Sequence, residues 1–225
     1  MTPFEAAVAA KIAYDPAGEG WARRLGFDFQ RIENRGHLAW IGRRDGERVV
    51  AFRGTTLFGR ESRSYRANLS TDLVPWAGDG LVHEGYHQAL WQLISAVQRA
   101  VKGEGDLVLA GHSMGAAMAV LAAPLLDARR VFAFACPRVG NRDFADGFGP
   151  GIRVVRYINR CDFLARLPFR GTVSGSDPEF QDRYVHIGRP VRLPAFGHSM
   201  NAYLSGVRQH RAGLRKTAYV QSDER

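Results

Sequence analysis

Cysteine is scarce in this sequence. Cys136 and Cys161 are the two cysteines among 225 residues, which is too few for a framework of disulfides. Both lie near the ends of predicted strands, so a single bridge between them remains an alternative. Such sparse use of cysteine is more typical of reduced, partly buried thiols in an intracellular chain.

A leader pattern and long apolar runs are also lacking. The first residues carry Glu5 and no basic start before an apolar stretch, unlike a secretory signal. No stretch approaches the roughly 18 uninterrupted apolar residues that a membrane-spanning helix needs. We therefore expect a cytoplasmic protein, or one exported by a non-classical route.

The positive charge is not gathered into a cluster. Lys and Arg number 31 against 22 Asp and Glu, a formal net charge of +9, and the basic residues are nearly all arginine, spread along the chain. No basic run with interleaved aromatics is present, so nucleic acid is not an expected partner. The charge indicates a solvated basic surface, with transient contact to an anionic lipid surface as the next interpretation. The sequence does not indicate the oligomeric state.

No cluster of His, Cys and Asp residues in the sequence has the spacing of metal ligands. We therefore expect neither a metal nor a cofactor. What is present is an ordinary globular balance, with 45% hydrophobic and 24% charged residues. The length suits one domain over residues 1–225.

The apolar pattern predicts an α/β fold. Strands are predicted at residues 37–43, 47–53, 107–110, 131–136 and 152–158, with a late strand or hairpin at 183–194. Helices are predicted at residues 3–13 with Thr2 as cap, 84–101, 113 to about 126, and 199–213. Continuous apolar strands separated by helices indicate a mostly parallel central sheet with helices on both faces. Residues 14–36 give few periodic signals, residues 55–80 look irregular, and a polar tail starts at about 216.

The strongest local signal is Gly111-His112-Ser113-Met114-Gly115, a G-x-S-x-G pattern between an apolar strand and an alanine-rich helix. Such a strand-to-helix turn presents a serine hydroxyl at the edge of the sheet in α/β-hydrolases. Glycine on both sides removes side chains that would collide there. Ser113 is therefore the candidate nucleophile of a serine hydrolase, the alternative being a serine that merely caps the helix. We interpret His112 as a packing residue.

A serine nucleophile needs a base and an orienting acid, which follow it in the chain in this fold. His198 follows a flexible segment and precedes a helix, so we favour it as base over His186, which is predicted to lie mid-strand, and over the solvated His210. Asp162 directly follows an apolar strand, where catalytic groups gather in open α/β sheets. The remaining acidic candidates are simpler as caps or surface charges: Asp143, Asp146, Asp177 and Asp182.

The chain resembles the class 3 lipases, a family of fungal triacylglycerol lipases with bacterial and plant relatives. The matching segments span residues 49–204 in family order: VVAFRGTT (49–56), DLVP (72–75), VHEGY (82–86), LAGHSMGAAMAVLAA (109–123), CPRVGNRDFA (136–145), YINRCDFLARLP (157–168), YVHIG (184–188) and HSMNAYL (198–204). The resemblance implies an α/β-hydrolase fold and a carboxylic-ester hydrolase acting on acylglycerols or other lipid-like esters. A phospholipase or lysophospholipase of the same mechanism is one alternative, and a catalytically silent binding protein on this fold is another.

The resemblance also implies a role for individual residues. Ser113 would be the nucleophile, Asp162 the acid and His198 the base, with Tyr203 as the family's downstream tyrosine. The backbone N–H groups of Thr55 and Met114 would form the oxyanion hole. His83, in the recurrent VHEGY segment, would be structural.

Residues 56–68 would form the lid of the family. They include apolar Leu57 and Phe58 but also four charged residues: Arg60, Glu61, Arg63 and Arg66. A lid for activation at an oil–water interface should have a substantial apolar face. This departure from the family makes a soluble ester or a phospholipid as plausible a substrate as a long-chain fat.

Overall fold

A computed structural model describes residues 1–55, 72–168 and 184–223. A seven-stranded sheet has the order β1-β2-β3-β6-β7-β8-β9. The first three strands pair antiparallel, and β3, β6, β7, β8 and β9 pair parallel. The strands are β1 (Gln30–Asn34), β2 (His37–Arg44), β3 (Glu47–Phe52), β6 (Asp106–His112), β7 (Arg130–Phe134), β8 (Arg153–Arg160) and β9 (Arg189–Phe196). The mostly parallel sheet is thus confirmed.

Helices and a small second sheet complete the described part. The helices are α1 (Pro3–Ile12), α2 (Gly18–Arg24), α3 (Glu84–Trp91), α4 (Ile94–Ala100), α5 (Met114–Leu125), α6 (Arg142–Asp146) and α7 (Met200–Asp223), with a 3-10 turn at Leu164–Arg166. Strands β4 (Leu73–Pro75) and β5 (Leu81–His83) form a separate antiparallel pair. Thr2 caps α1, as the sequence predicts, and the structure adds a capping box with Glu5.

Helices cover both faces of the large sheet because its central strands are apolar on both sides. Val50 and Phe52 belong to a core that includes α3, α4 and α5. Val49 and Ala51, which alternate with them, belong to a second core that includes α1 and α7. The predicted layering is confirmed.

Several predicted elements need correction. The helix expected over 84–101 is two helices that break at Gln92 and Leu93. Residues 55–80, expected to be irregular, contain β4. Residues 14–36 hold α2 and β1, which are largely polar and give little periodic signal. Helix α7 continues to Asp223, so residues expected in the tail extend this helix. The lid-like segment 56–68 lies outside the described residues.

Both cysteines are free, Cys136 buried and Cys161 exposed. This agrees with reduced thiols and excludes the alternative of a bridge between them. Burial raises the pKa of the Cys136 thiol to about 12. Among the described helices, none combines the length and apolar character that crossing a bilayer requires.

Candidate active site

Ser113 lies in a sharp turn between β6 and α5, residues Gly111–Gly115, which we call the Ser113 turn. Its backbone has φ 58° and ψ −127°, a conformation that a non-glycine residue rarely adopts. A Cβ on Gly115 would lie 2.2 Å from the carbonyl oxygen of Phe52, and one on Gly111 would lie 2.2 Å from the carbonyl oxygen of Gly115. The turn therefore packs backbone against backbone, and both flanking positions require glycine.

The structure brings Asp162 and His198 to Ser113. The His198 Nε2 atom lies 3.0 Å from Ser113 Oγ, and His198 Nδ1 lies 3.0 Å from both carboxylate oxygens of Asp162. The Asp162 side chain is fully buried, whereas that of His198 is 17% exposed. The three side chains thus form one continuous hydrogen-bonded series that ends at the serine hydroxyl.

Further donors surround the Asp162 carboxylate. Tyr203, on α7, donates its hydroxyl to Asp162 Oδ2 at 2.6 Å. The backbone N–H groups of Leu164 and Ala165 donate to Oδ1 at 3.1 and 3.4 Å. Burial alone would raise the pKa of Asp162, but the hydrogen bonds from His198 and Tyr203 outweigh it, and the pKa lies below its ordinary value. The carboxylate therefore stays charged beside the imidazole.

Asn159 fixes the loop that carries His198. This loop, residues Gly197–Ser199, is called the His198 loop. Buried Asn159 donates its side-chain N–H to the Gly197 carbonyl at 2.9 Å, and the Gly197 N–H donates to the Arg160 carbonyl at 3.2 Å. Sequence reasoning missed Asn159, because a lone asparagine at a strand end gives no signal of the loop it will meet.

Thr55 follows the carboxyl end of β3 and contacts the start of α5. Its hydroxyl donates to the sulfur of Met114 at 3.4 Å. The two residues expected to supply oxyanion donors are therefore neighbours beside Ser113. Met114 is also the first residue of α5, where backbone N–H groups are free of intrahelical partners.

His112 does more than pack, which corrects its interpretation from sequence. Its Nδ1 atom lies 2.8 Å from the Tyr14 hydroxyl, and its Nε2 lies 2.6 Å from the carbonyl oxygen of His198. Burial, and then the neighbouring His198, lower the pKa of His112 to about 3. Tyr14 comes from the region that gave few sequence signals, so no pattern in the sequence linked it to the site.

The other candidates do not join this group. His186 lies between the bridge residue Val185 and Gly188 instead of mid-strand, and it is His198 that contacts Ser113. His210 lies on α7. Asp143 and Asp146 are exposed on α6, and 177 and 182 fall outside the described residues.

His83 caps α3 by accepting the Gly85 N–H at Nδ1, 3.0 Å away, which agrees with a structural role. No group of three or more His, Cys, Asp or Glu residues suited to a metal occurs in the described ranges.

These features define the class of protein. A serine at positive φ between a parallel strand and a helix, with an acid and a histidine supplied by later strand ends, is the arrangement of an α/β-hydrolase. Within that class the chain belongs to the class 3 lipases, since the family profile described as "Lipase (class 3)" matches residues 49–172.

Solved structures share the fold. A Rhizomucor miehei lipase in complex with its propeptide superposes with a TM-score of 0.66 at 20% identity, over 84% of this chain and 66% of that one. The lipase of Rhizopus microsporus var. chinensis gives 0.64 at 22% identity, over 84% of this chain and 72% of that one.

Two curated relatives from plants match a large part of the chain. Phospholipase A1-II 1 of Oryza sativa subsp. indica is 28% identical over 209 residues, which cover 74% of this chain and 51% of the relative. Phospholipase A1-Ialpha2, chloroplastic, of Arabidopsis thaliana is 34% identical over 173 residues, 63% of this chain and 35% of the relative. The chain thus spans about half or less of the length of these proteins.

Proposed function

We propose that this protein is a carboxylic-ester hydrolase that cleaves lipid-like esters through an acyl-enzyme on Ser113. The observation that carries the proposal is the unbroken series Ser113–His198–Asp162, with 3.0 Å at each step. Membership of the class 3 lipases supports it. So do the names of the relatives, which include phospholipases A1 and a galactolipase.

The reaction follows from the donor and acceptor atoms of these residues. His198 Nε2 removes the hydroxyl proton as Ser113 Oγ attacks the ester carbonyl, and the carbonyl electrons move onto its oxygen. Asp162 holds Nδ1–H and stabilises the imidazolium, while the N–H groups of Thr55 and Met114 bind the oxyanion. The tetrahedral intermediate collapses, and His198 returns the proton to the leaving alcohol. Water, activated by His198, then attacks the acyl-enzyme and releases the carboxylic acid.

A phospholipid is the second candidate for the substrate. The names of the curated relatives favour it, and so does the basic charge of the chain. Acylglycerols are the first candidate because a solved structure of this fold is described as that of a triacylglycerol lipase. A series of p-nitrophenyl esters of increasing chain length, with phosphatidylcholine and a triacylglycerol beside it, separates these substrates. Activity confined to the shortest esters would contradict a lipid substrate.

A fluorophosphonate probe tests the nucleophile. Folded wild-type protein should be labelled and should hydrolyse the esters, whereas Ser113→Ala should show no labelling and lose at least about 10³-fold in kcat. Ser205→Ala is the matched control, because Ser205 is exposed on α7 and should label like the wild type. A folded wild type that neither labels nor turns over would favour the silent binding protein instead.

We also propose a contact with anionic lipid headgroups at a basic groove between β9 and α7. The groove has a volume of about 1040 Å³, its lining includes Arg160, Arg166 and Arg192, and no acidic residue is among its described lining residues. Exposed Phe196 and Leu214 lie in the same groove and offer apolar contact.

Sedimentation with vesicles tests this contact. Ser113→Ala protein should bind phosphatidylglycerol vesicles and bind phosphatidylcholine vesicles weakly, and adding Arg192→Gln should weaken the first interaction several-fold, at about 1 kcal/mol per basic residue. Arg23→Gln on α2 is the control. Equal binding to both vesicle types would refute the proposal.

A further inference from the structure

Three segments of the candidate site meet at two side chains that take no direct part in the proposed reaction. These segments are the residues that follow β3, at Gly54, the Ser113 turn and the His198 loop. The Gly54 N–H donates to the Tyr14 hydroxyl at 3.0 Å, and the Tyr14 hydroxyl lies 2.8 Å from His112 Nδ1. His112 Nε2 lies 2.6 Å from the His198 carbonyl oxygen. The contacts join residues 40, 98 and 86 positions apart in the sequence.

Elementary hydrogen-bond chemistry fixes the direction of every bond in this set. A backbone N–H only donates, so the Tyr14 oxygen accepts from Gly54. A carbonyl only accepts, so His112 must carry its proton on Nε2 to donate to His198. In a neutral ring Nδ1 is then the acceptor, and the Tyr14 hydroxyl donates to it. The bonds therefore form one directed chain from Gly54 through Tyr14 and His112 to His198.

Burial keeps both side chains in the neutral form that the chain requires. His112 is 4% exposed, and its lowered pKa, about 3, leaves it neutral at pH values at which a serine hydrolase works. Burial also raises the pKa of Tyr14 well above its ordinary value. The ring centres of His112 and His198 are 4.8 Å apart, so a charge on His112 would oppose the imidazolium that forms on His198 during the reaction.

The close approach at Gly54 is built into the backbone. A Cβ there would lie 2.4 Å from the Tyr14 hydroxyl and 2.3 Å from the His112 carbonyl oxygen. Glycine is thus required for Tyr14 to reach the backbone one residue before Thr55. This steric observation supports the chain independently of the hydrogen bonds.

We infer that Tyr14 and His112 are positioning residues that hold the oxyanion-hole strand end and the base in a fixed relation to Ser113. The inference rests on the proposed function. The pair touches no substrate, and it acts by restraining the backbone on both sides of the serine. A displacement of the base by a fraction of an ångström weakens proton transfer without changing how the ester binds. Loss of the chain should therefore lower kcat and leave KM nearly unchanged.

Kinetics on a soluble p-nitrophenyl ester tests this. Tyr14→Phe should lower kcat about tenfold with KM within about twofold. Tyr157→Phe is the matched control: it packs against Phe134 in the same core, takes no part in the chain, and should keep wild-type kcat. Equal kcat in Tyr14→Phe and the control, or a rise of KM that accounts for the loss, would overturn the inference.

Two substitutions at His112 separate positioning from packing. Gln carries a donor and an acceptor, whereas Phe preserves the aromatic volume without either. If the hydrogen bonds matter, His112→Gln retains more kcat than His112→Phe. If His112 only fills space, the order is reversed and the inference fails.

Nitrogen NMR of the wild-type protein provides a readout independent of activity. The His112 ring should show a protonated Nε2 and an unprotonated Nδ1 at neutral pH, and the signal of Nδ1 should shift in Tyr14→Phe. A protonated Nδ1 would overturn the chain even if a variant fails to fold. Should Ser113→Ala remain active, the proposed function fails, while the tautomer still reports on the chain itself.

Discussion

The Ser113 turn is held by close backbone contacts, whereas the His198 loop is held by side-chain hydrogen bonds in addition to the backbone bond from Gly197 to Arg160. Around Ser113, Gly111 and Gly115 let backbones approach so closely that a methyl group has no room. Around His198, the donors are Asn159 to the preceding carbonyl and His112 to the residue's own carbonyl. A serine at positive φ is strained, and this conformation persists only where rigid packing around it fixes the backbone. His198, which the proposed mechanism requires to accept and return a proton, is instead positioned by hydrogen bonds that fix its direction.

The largest loss of stability and activity should come from disturbing the close backbone contacts of the Ser113 turn. Gly115→Ala places a Cβ 2.2 Å from the Phe52 carbonyl, and the neighbouring atoms are backbone. We expect a loss of at least about 3 kcal/mol in the free energy of unfolding, together with loss of ester hydrolysis. Urea denaturation measures it.

Gly20→Ala is the control for this substitution. Gly20 lies in α2, where a Cβ would meet nothing within 4 Å, and alanine there should be neutral or stabilise by about 0.5–1 kcal/mol. Equal stability of the two variants would refute the steric account of the turn.

Removing a hydrogen bond around Asp162 and His198 should lower kcat without unfolding the protein. Tyr203→Phe removes the 2.6 Å bond to Asp162, and bonds to charged groups contribute about 1.5–3 kcal/mol. We expect kcat to fall roughly tenfold or more while the circular dichroism spectrum stays native. Steady-state assays of ester hydrolysis, with Tyr157→Phe as control, measure the difference. An unchanged kcat in Tyr203→Phe would show that the Asp162 carboxylate is oriented without the tyrosine hydroxyl.

Acid should destabilise the fold through two buried histidines, His112 in the Ser113 turn and His83 at the start of α3. Burial lowers the pKa of His112 to about 3 and that of His83 to about 4. The unfolded chain, with ordinary histidines, binds these protons more tightly. Stability is therefore full above about pH 6.5 and decreases as pH falls towards 4, by about 1.4 kcal/mol per pH unit for each group.

His83→Asn keeps an acceptor at the cap of α3 and removes one of these two groups. Between pH 6 and 5, the dependence of the unfolding free energy on pH should become shallower by about 1.4 kcal/mol per pH unit, which corresponds to one proton. Denaturant titrations at several pH values measure it. An unchanged slope would mean that His83 is not kept neutral by the fold.

The steric half of the site could be predicted from sequence, and the hydrogen-bonded half could be predicted in part. The two glycines at fixed spacing around Ser113 are recognisable in the sequence because no other residue fits at these positions. The assignment of Asp162 and His198 as acid and base stays a prediction, although the structure brings both to Ser113. The roles of Tyr14 and Asn159 could not be recognised in the sequence, since both bond to backbone atoms that are distant in the chain.

The fold shows the same division. Apolar strands such as β6 and β7 are predicted well because burial on both faces imposes a continuous pattern. Polar β1 is mostly exposed at the edge of the sheet, so hydrophobic pattern could not reveal it. The break between α3 and α4 was hidden because apolar spacing continues across it.

Helices α1 and α7 contribute to the same core, so this core is complete only after both helices have been synthesised. Ser113 leaves the ribosome 85 residues before His198, and α7, with Tyr203, emerges later still. A partly synthesised chain carries Ser113 without His198, the proposed base, and the series of hydrogen bonds from Tyr14 lacks the carbonyl oxygen on which it ends. Under the proposed mechanism, we therefore expect ester hydrolysis to begin only after α7 has packed into this core.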